Sequence, residues 1–389
     1  MNLFIAALSS QTSPTGVCRH AANLAKGMLE HPEVRHVTLA TGAWQAGYMR
    51  DAFGLCGDRL IVLPVPIANT ALSRNLWYLW GLPRLARRVH ADIIHLSYPA
   101  PVFRPLLPAP AVVTVHDLYA FDLPQNFGGR RAWLNRGAFR VCLRNADALA
   151  CVSEATRARL HARIFTARAK KASVVPNSVV HGSAAHAASL PAELQRSPFV
   201  LCVAQHRANK NLPALVAAFD LARRQGIFSF ATKLVIVGSF GPVTHEILAV
   251  VETYGLGADV VFLKNLTDPV LSALYAGCAL LVAPSLVEGF GLPVAEALAF
   301  GCRVVCSDIA AFREIGGESC FYFDPQDRSG AAMAEAMQEA QAAPRAAKIE
   351  MPGPGEAAAQ YLRIYRTLLC NKSAKSLSVA KKASGQEEI

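Results

Sequence analysis

Charged side chains are scarce in this chain of 389 residues, because Asp, Glu, Lys and Arg together make up only 17% of it. Hydrophobic residues account for 52%, so the chain can bury a sizeable core and wholesale disorder is excluded. No apolar run reaches the roughly 18 residues of a transmembrane helix. The N-terminus has no charged leader, and its short apolar run, residues 3–8, is interpreted as a first strand.

Metal-binding and disulfide patterns are also missing. The ten cysteines are scattered, with no CxxC pair and no histidine at zinc spacing. We therefore expect reduced thiols that behave as small apolar side chains, and a reducing, cytoplasmic compartment. Neither half contains a DxD-like pair, and no helix-turn-helix, zinc or RNP-like pattern accompanies the basic residues. The sequence thus predicts no bound metal and no nucleic-acid partner.

Acidic residues are few in the first half only. Residues 1–190 contain 21 Lys and Arg against 9 Asp and Glu, whereas residues 191–389 contain 18 against 19. Much of the first half's excess lies in RRAWLNRGAFRVCLR, residues 130–144, which mixes five arginines with large apolar side chains. This segment could be an amphipathic helix on an anionic membrane surface, or an ordinary helix whose apolar face packs on a sheet. We expect the apolar side to pack on the sheet, with arginines that could still face anionic lipid.

Apolar, β-branched runs alternate with helical patterns along the chain, which is typical of parallel sheets with crossover helices. The predicted fold class is α/β, with two doubly wound, Rossmann-like units facing each other across a cleft. Strands are predicted at residues 2–8, 36–41, 92–96, 111–115, 148–152 and 172–175, and then at 199–204, 233–237, 260–263, 279–283, 303–307 and 320–323.

The predicted domain organisation follows from these strands and from the breaks between them. The Ser-, Ala- and Pro-rich stretch between the halves lacks periodicity and predicts a hinge. The expected units are a first domain at residues 1–180, a linker at 181–198, a second domain at 199–352, a C-terminal helix at 353–371 that packs back on the first domain, and a disordered tail at 372–389.

The stretch PSLVEGFGLPVAEALAFG, residues 284–301, places Glu288 on a glycine-rich loop and Glu296 one turn into the helix that follows. In doubly wound sheets, ligands bind where strands end and helices begin, because helix N-termini present free N–H groups. Two carboxylates at such a junction suit sugar hydroxyls. An ordinary capped surface helix explains the same spacing about equally well.

A second junction concentrates positive charge. The strand VLCVA is followed by His206, Arg207 and Lys210 before the next helix. Cations at the carboxyl end of a strand, facing the same crevice as the glutamates, suit a diphosphate. Solvated loop charge is the alternative, and for Arg207 alone it has similar weight.

These residues resemble the retaining glycosyltransferases of family 4, which have the two-Rossmann GT-B fold, and the resemblance covers residues 2–370. It implies that Glu288 meets the hydroxyls of a donor sugar, that Glu296 binds the nucleotide ribose, and that Lys210 holds the diphosphate. It further implies backbone N–H groups for the sugar and phosphate, offered by Phe290, Gly291 and Leu292.

Other segments extend the resemblance. SPTGVCRHAANLA is similar to the family's first glycine loop, with Gly16 as its one glycine, and TVHDL is similar to the loop that carries an acceptor-side histidine, here His116. ACVSEATR is similar to a strand and helix start that Ser153 would cap. One departure is Ala204, which stands where many members have an arginine, and either His206 or Arg207 is expected to supply that charge.

The expected activity is transfer of a hexose from a nucleotide diphosphate sugar, with mannose from GDP-mannose as the first choice, without cofactor or metal. The expected acceptor is a saccharide or lipid-linked saccharide of cell-surface polysaccharide biosynthesis, reached from the cytoplasm and the inner face of the membrane. A different GT-B enzyme, such as a sugar-nucleotide epimerase, and a non-catalytic sugar-nucleotide-binding module are the alternatives.

Overall fold

The computed structural model describes residues 1–123, 129–164, 171–179, 189–345 and 347–383. Within these ranges the chain forms two parallel sheets, one in each half. Each sheet carries helices on both faces, so its strands are buried on both sides and consist of almost continuous apolar runs.

The first sheet has the strand order β3-β2-β1-β4-β5-β6-β7. Every paired strand is parallel to its neighbour, with β1 between β2 and β4. Strands β2 and β3 are added on one side of β1, and β4 to β7 are added on its other side, so the strand order reverses between β1 and β4. The strands are β1 (Asn2–Ala6), β2 (His36–Gly42), β3 (Leu60–Val65), β4 (Ile93–Leu96), β5 (Ala111–Val115), β6 (Ala148–Cys151) and β7 (Ser173–Val174).

The second sheet repeats this arrangement with the order β10-β9-β8-β11-β12-β13. Here the reversal falls between β8 and β11, which pair directly, Leu281 beside Leu201. The strands are β8 (Phe199–Val203), β9 (Lys233–Val237), β10 (Val260–Leu263), β11 (Leu280–Ala283), β12 (Val304–Ser307) and β13 (Cys320–Phe323).

Helices connect most successive strands in both halves, and several begin where the sequence supplies a capping side chain or a proline. Ser153, for example, accepts a hydrogen bond from the backbone N–H of Thr156, as its N-cap position predicts. The helices are α1 (Gly16–Leu29), α2 (Ala43–Phe53), α3 (Ala71–Leu76), α4 (Leu82–Arg88), α5 (Tyr119–Asp122), α6 (Gly129–Asn145), α7 (Glu154–Arg163), α8 (Leu212–Arg224), α9 (Thr244–Thr253), α10 (Asp268–Gly277), α11 (Leu292–Ala299), α12 (Ala310–Gly316), α13 (Ala331–Ala342) and α14 (Pro354–Ala383).

The twelve strands expected from the sequence are all present, with ends that differ by at most two residues. The sequence interpretation missed β3, whose stretch LIVLPV contains Pro64. Proline lacks the N–H of a central strand, but β3 lies at the edge of its sheet, where that donor is not needed.

The long helix α14 returns from the second half and packs on the first. Its Tyr361 and Tyr365 are fully buried beside α1. The hydroxyl of each forms a hydrogen bond with a side chain of the first sheet. The Tyr365 hydroxyl lies 2.7 Å from His95 Nδ1, and the Tyr361 hydroxyl lies 2.8 Å from Thr114 Oγ1. The N-terminal part of α14, residues 358–369, thus supplies part of the first half's core.

The structure bears on two predicted boundaries, the end of the C-terminal helix and the linker. The helix α14 continues to Ala383, beyond the expected end at residue 371 and into the stretch predicted to be disordered, because NKSAKSLSVAKKA contains several strong helix formers and neither Pro nor Gly. Of the predicted linker, residues 181–188 lie outside the described ranges, and residues 189–198 contain a short 3-10 turn, Ala192–Leu194.

The arginine-rich segment forms α6. Its C-terminal part packs on the core like an ordinary crossover helix, whereas its N-terminal part exposes apolar side chains. Cys142 and Leu143 are buried and Phe139 packs against the core, as in an ordinary crossover helix. Trp133 and Leu134, at the other end, are 75% and 61% exposed, so the expectation that the whole apolar side packs inward is wrong for them. Among the described residues no helix is long and apolar enough to span a membrane.

Candidate functional site

The second half's site lies where β8 and β11 diverge. The segment after β8 ends in a 3-10 turn, Ala208–Lys210, and the segment after β11 is the glutamate loop that leads into α11. Because the carboxyl ends of neighbouring parallel strands meet at one edge, the two loops face each other at the point where the strand order reverses. The two junctions found in the sequence are therefore one site.

Lys210 and Glu288 meet at this point. The Lys210 ammonium donates to Oε1 of Glu288, and the two side chains are only 18% and 15% exposed. They line a cavity together with Ala204, Ser285, Pro293 and Phe312. A cation and a carboxylate thus stand side by side in a partly buried recess, which suits a ligand that carries both anionic oxygens and hydroxyl groups.

The backbone between the two glutamates is shaped by glycine. Gly291 has a φ of +107° and precedes α11, and a Cβ at this position would lie 2.6 Å from the Phe312 ring. A side chain is excluded here by both conformation and space. The N–H groups of Phe290, Gly291 and Leu292 lie before or in the first turn of α11, where a helix leaves donors unused.

Glu296 is held by groups from both halves. The Tyr275 hydroxyl of α10 donates to its Oε2 at 2.7 Å. Burial raises the pKa of Glu296, and the nearby Arg19 guanidinium and the Tyr275 hydrogen bond act in the opposite direction. The carboxylate is thus oriented by a phenol and balanced by a cation from the first half.

Arg19, on the first turn of α1, joins the halves directly. Its guanidinium makes a two-fold hydrogen-bonded ion pair with Asp268 at the start of α10, with distances of 3.0 and 2.6 Å. The neighbouring Gly16 also faces the second half, since a Cβ on it would lie 3.5 Å from Leu292 Cδ1. The sequence interpretation missed Arg19, and its only signal was its place three residues after Gly16.

His116 follows β5 and lies where the two halves meet, with its carbonyl oxygen against Gly289. Its Nε2 lies 2.9 Å from the Ser97 carbonyl oxygen, so this nitrogen carries the proton and Nδ1 is left as an acceptor. Burial lowers the pKa of His116. The ring of His20 stands edge-on to it at 4.7 Å and is anchored by Asn177 at 3.0 Å. His116 is therefore a neutral hydrogen-bonding group.

The two residues expected to replace the arginine absent at Ala204 differ in position. His206 is buried, its Nδ1 lies 3.0 Å from Thr244 Oγ1, and burial lowers its pKa. Its burial and lowered pKa disfavour His206 as the source of that charge. Arg207 is exposed and forms no ion pair with any described carboxylate, and its role stays a prediction.

The comparisons with known proteins agree with this geometry. Residues 14–183 match the family model described as Glycosyltransferase Family 4, and residues 197–342 match the model described as Glycosyl transferases group 1. The chain belongs to glycosyltransferase family 4. Its two sheets are the two halves of the GT-B fold.

Two relatives are named as mannosyltransferases of bacteria. The O-antigen chain mannosyltransferase RfbU of Salmonella typhimurium is 25% identical over 71% of this chain and 75% of its own length. The serotype-specific mannosyltransferase WbdA of Escherichia coli is 37% identical over 36% of this chain. The matched segment spans only 16% of WbdA, which is a much longer protein.

Solved structures show the same fold. The structure of Anabaena Alr3699/HepE in complex with UDP-glucose superposes with a TM-score of 0.62 and is 17% identical in sequence. The superposition covers 97% of this chain and all of that one. At this identity the likeness concerns the fold, and the function has to be argued from the site.

For this family 4 member, the structure brings most of the predicted site residues together. Lys210 and Glu288 are in contact, and Gly16 lies against Leu292. Besides Arg19, the sequence interpretation missed Tyr275, which lies inside an ordinary helix and is marked as a site residue by its contact with Glu296.

Proposed function

We propose that this glycosyltransferase moves a mannose from GDP-mannose to a saccharide or lipid-linked saccharide, with retention of the anomeric configuration and without a metal ion. The choice of mannose is supported by the names of RfbU and WbdA, both mannosyltransferases. The observation that carries the proposal is the contact between Lys210 and Glu288 where β8 and β11 diverge.

Charge at this contact matches a nucleotide diphosphate sugar. A diphosphate oxygen attracts the Lys210 ammonium more strongly in this partly buried recess than in water, because the effective dielectric constant is lower. The Glu288 carboxylate then accepts hydrogen bonds from sugar hydroxyls beside the diphosphate. Glu296, oriented by Tyr275, accepts from the ribose on the other side.

In the proposed reaction the bond between the anomeric carbon and the diphosphate oxygen breaks while a bond forms to an acceptor oxygen on the same face. The acceptor proton passes to the departing diphosphate, whose negative charge is stabilised by Lys210 and the N–H groups before α11. Neutral His116 accepts a hydrogen bond at Nδ1 and orients a hydroxyl rather than removing its proton. Lys210 supports departure of the leaving group without a divalent cation.

Donor choice is tested first. Purified protein is incubated with GDP-mannose, UDP-glucose or ADP-glucose, and thermal unfolding and release of the nucleoside diphosphate are measured. A donor at about 100 times its dissociation constant adds about 2.7 kcal/mol to the unfolding free energy, which produces a clear shift in Tm. Stabilisation by a uridine or adenosine donor alone would overturn the GDP-mannose assignment.

Stereochemistry and metal dependence have their own tests. Proton NMR of the early product with a simple mannoside acceptor distinguishes an α from a β linkage, and inversion of the donor's α configuration would overturn retention. The same reaction run with excess EDTA should keep its rate. A rate that falls with EDTA and returns on addition of Mg²⁺ or Mn²⁺ would overturn metal independence.

The acceptor proposal rests on the surface of the first half. Trp133 and Leu134 of α6 project into solvent close to the arginines that follow them in the helix. Exposed aromatic and aliphatic side chains beside basic residues suit the interface of an anionic membrane, where each basic residue contributes about 1 kcal/mol. A lipid-linked acceptor would then meet the cleft at the membrane surface.

A further inference from the structure

The loop that carries Glu288 is held by the first half of the chain. The Gly289 carbonyl oxygen accepts hydrogen bonds from the hydroxyls of Ser153 and Thr156, the latter at 2.8 Å. The Glu288 carbonyl oxygen accepts one from the Arg159 guanidinium. These three donors lie at the N-cap and on one face of α7, each three residues from the next. One helix of the first half thus fixes two successive peptide planes of the second.

Gly289 shows how closely the halves approach. A Cβ on this residue would lie 1.5 Å from the His116 carbonyl oxygen, which is far inside a van der Waals contact. The Gly289 backbone does not adopt a left-handed conformation, so its own φ angle would accept another residue. The absence of a side chain is required by the first half and not by the loop.

Another contact docks α7 without touching the loop. The Glu314 carboxylate of α12 accepts hydrogen bonds from the backbone N–H groups of Glu154 and Ala155 at 2.8 and 3.0 Å. A carboxylate at a helix N-terminus is stabilised by the free N–H groups and the helix dipole. Contacts that hold the halves together and contacts that orient the Glu288 loop therefore lie on different residues and can be separated by mutation.

We infer that α7 is a positioning element for transfer: Ser153, Thr156 and Arg159 orient the Glu288 loop only when the two halves are in contact. Closing of the cleft then aligns the Glu288 carboxylate with the donor sugar. The inference rests on the proposed role of Glu288 in transfer. Nucleotide binding depends on Glu296 and Lys210, whose side chains receive none of these α7 hydrogen bonds, so it does not require α7, whereas turnover does.

Gly289→Ala tests this directly, because the added methyl group collides with His116 only when the halves meet. We expect turnover, measured as GDP release from GDP-mannose with and without a mannoside acceptor, to fall by more than about tenfold. Calorimetry should give a GDP affinity within about twofold of the native value. Gly257→Ala is the control, because nothing lies within 4 Å of the Cβ position there.

Variants on α7 test the same idea from the other half. Thr156→Val keeps the side chain's shape and removes its hydroxyl, and we expect turnover to fall about 2- to 12-fold, the effect of one neutral hydrogen bond, with GDP affinity unchanged. Thr156→Ser restores the donor and should restore most of the rate. Glu314→Gln weakens the docking of α7 alone and should raise KM for the acceptor more than it lowers kcat.

Small-angle scattering separates this inference from the choice of donor. Gly289→Ala should have a larger radius of gyration than the native protein in the presence of GDP. If native protein releases no GDP from GDP-mannose but the scattering difference is found, the donor assignment fails and the kinetic comparison is made with the donor that stabilises the protein. Native turnover in Gly289→Ala, or loss of GDP affinity equal to the loss of turnover, would overturn the role of α7.

Discussion

Replacing Glu288 and Glu296 separately by Gln should affect different steps. In Glu288→Gln a neutral amide replaces the carboxylate beside Lys210. The sugar hydroxyls therefore lose a charged acceptor in the transition state. A hydrogen bond to a charged group contributes about 1.5 to 3 kcal/mol, so turnover should fall by about 10- to 150-fold. Lys210 also loses its only described ion-pair partner, so the affinity for GDP should stay equal or rise.

Glu296→Gln should behave differently. The Gln side chain still accepts the Tyr275 hydrogen bond, but the negative charge near Arg19 disappears and the ribose loses a charged acceptor. Affinities for GDP and GDP-mannose should then fall together, by about the same 10- to 150-fold. Calorimetry with GDP, set beside initial rates of GDP release for both variants, makes the comparison. Equal losses of GDP affinity in the two variants, or full turnover in Glu288→Gln, would refute the assigned roles.

Three further predictions follow from the contacts described. Tyr275→Phe leaves the Glu296 carboxylate without its phenol donor, so the affinity for GDP measured by calorimetry should fall about 5- to 150-fold; native affinity would contradict the role of Glu296. Burial lowers the pKa of His95 to about 3, so the unfolded state gains a proton that the folded state does not, and the unfolding free energy should fall as the pH drops below the ordinary pKa. The contribution of His95 to this decrease approaches about 1.4 kcal/mol per pH unit in urea titrations at about pH 6 and 5. His95→Gln should lose that contribution, while other buried histidines with lowered pKa, among them His20 and His116, keep theirs. Replacing Trp133 and Leu134 by Ser should reduce co-sedimentation with anionic vesicles, and equal binding to neutral and anionic vesicles would contradict a basic docking surface.

The fold was accessible from the sequence because parallel strands covered by helices on both faces are continuous apolar runs. KLVIV and CFYF, for example, stand out from the helical patterns beside them and lie within the strands observed. The edge strand β3 is not such a run, since it contains Pro64 and its Ile61 is 51% exposed. An edge strand has a weaker apolar pattern in the sequence, because it is less buried. It pairs with a neighbour on one side only, so a residue without an N–H is tolerated there.

The candidate site was accessible only in part. Glu288 and Lys210 follow strands, and strand order in a doubly wound sheet brings such loops together. Arg19, Arg159 and Glu314 act across the halves, with partners more than 100 residues away in the chain. Each alone is an ordinary charge on a helix, so nothing local distinguishes it from a solvated side chain.

The packing of α14 has a consequence for how the chain folds during synthesis. Domains generally fold as units, with the N-terminal one first. Here the buried imidazole of His95 and hydroxyl of Thr114 find their partners in Tyr365 and Tyr361, which leave the ribosome only after the whole second half. Until then the first half has a gap in its core beside α1 and two buried polar groups lacking those hydrogen bonds. The first half is therefore the last to be completed, although it is the first to be made.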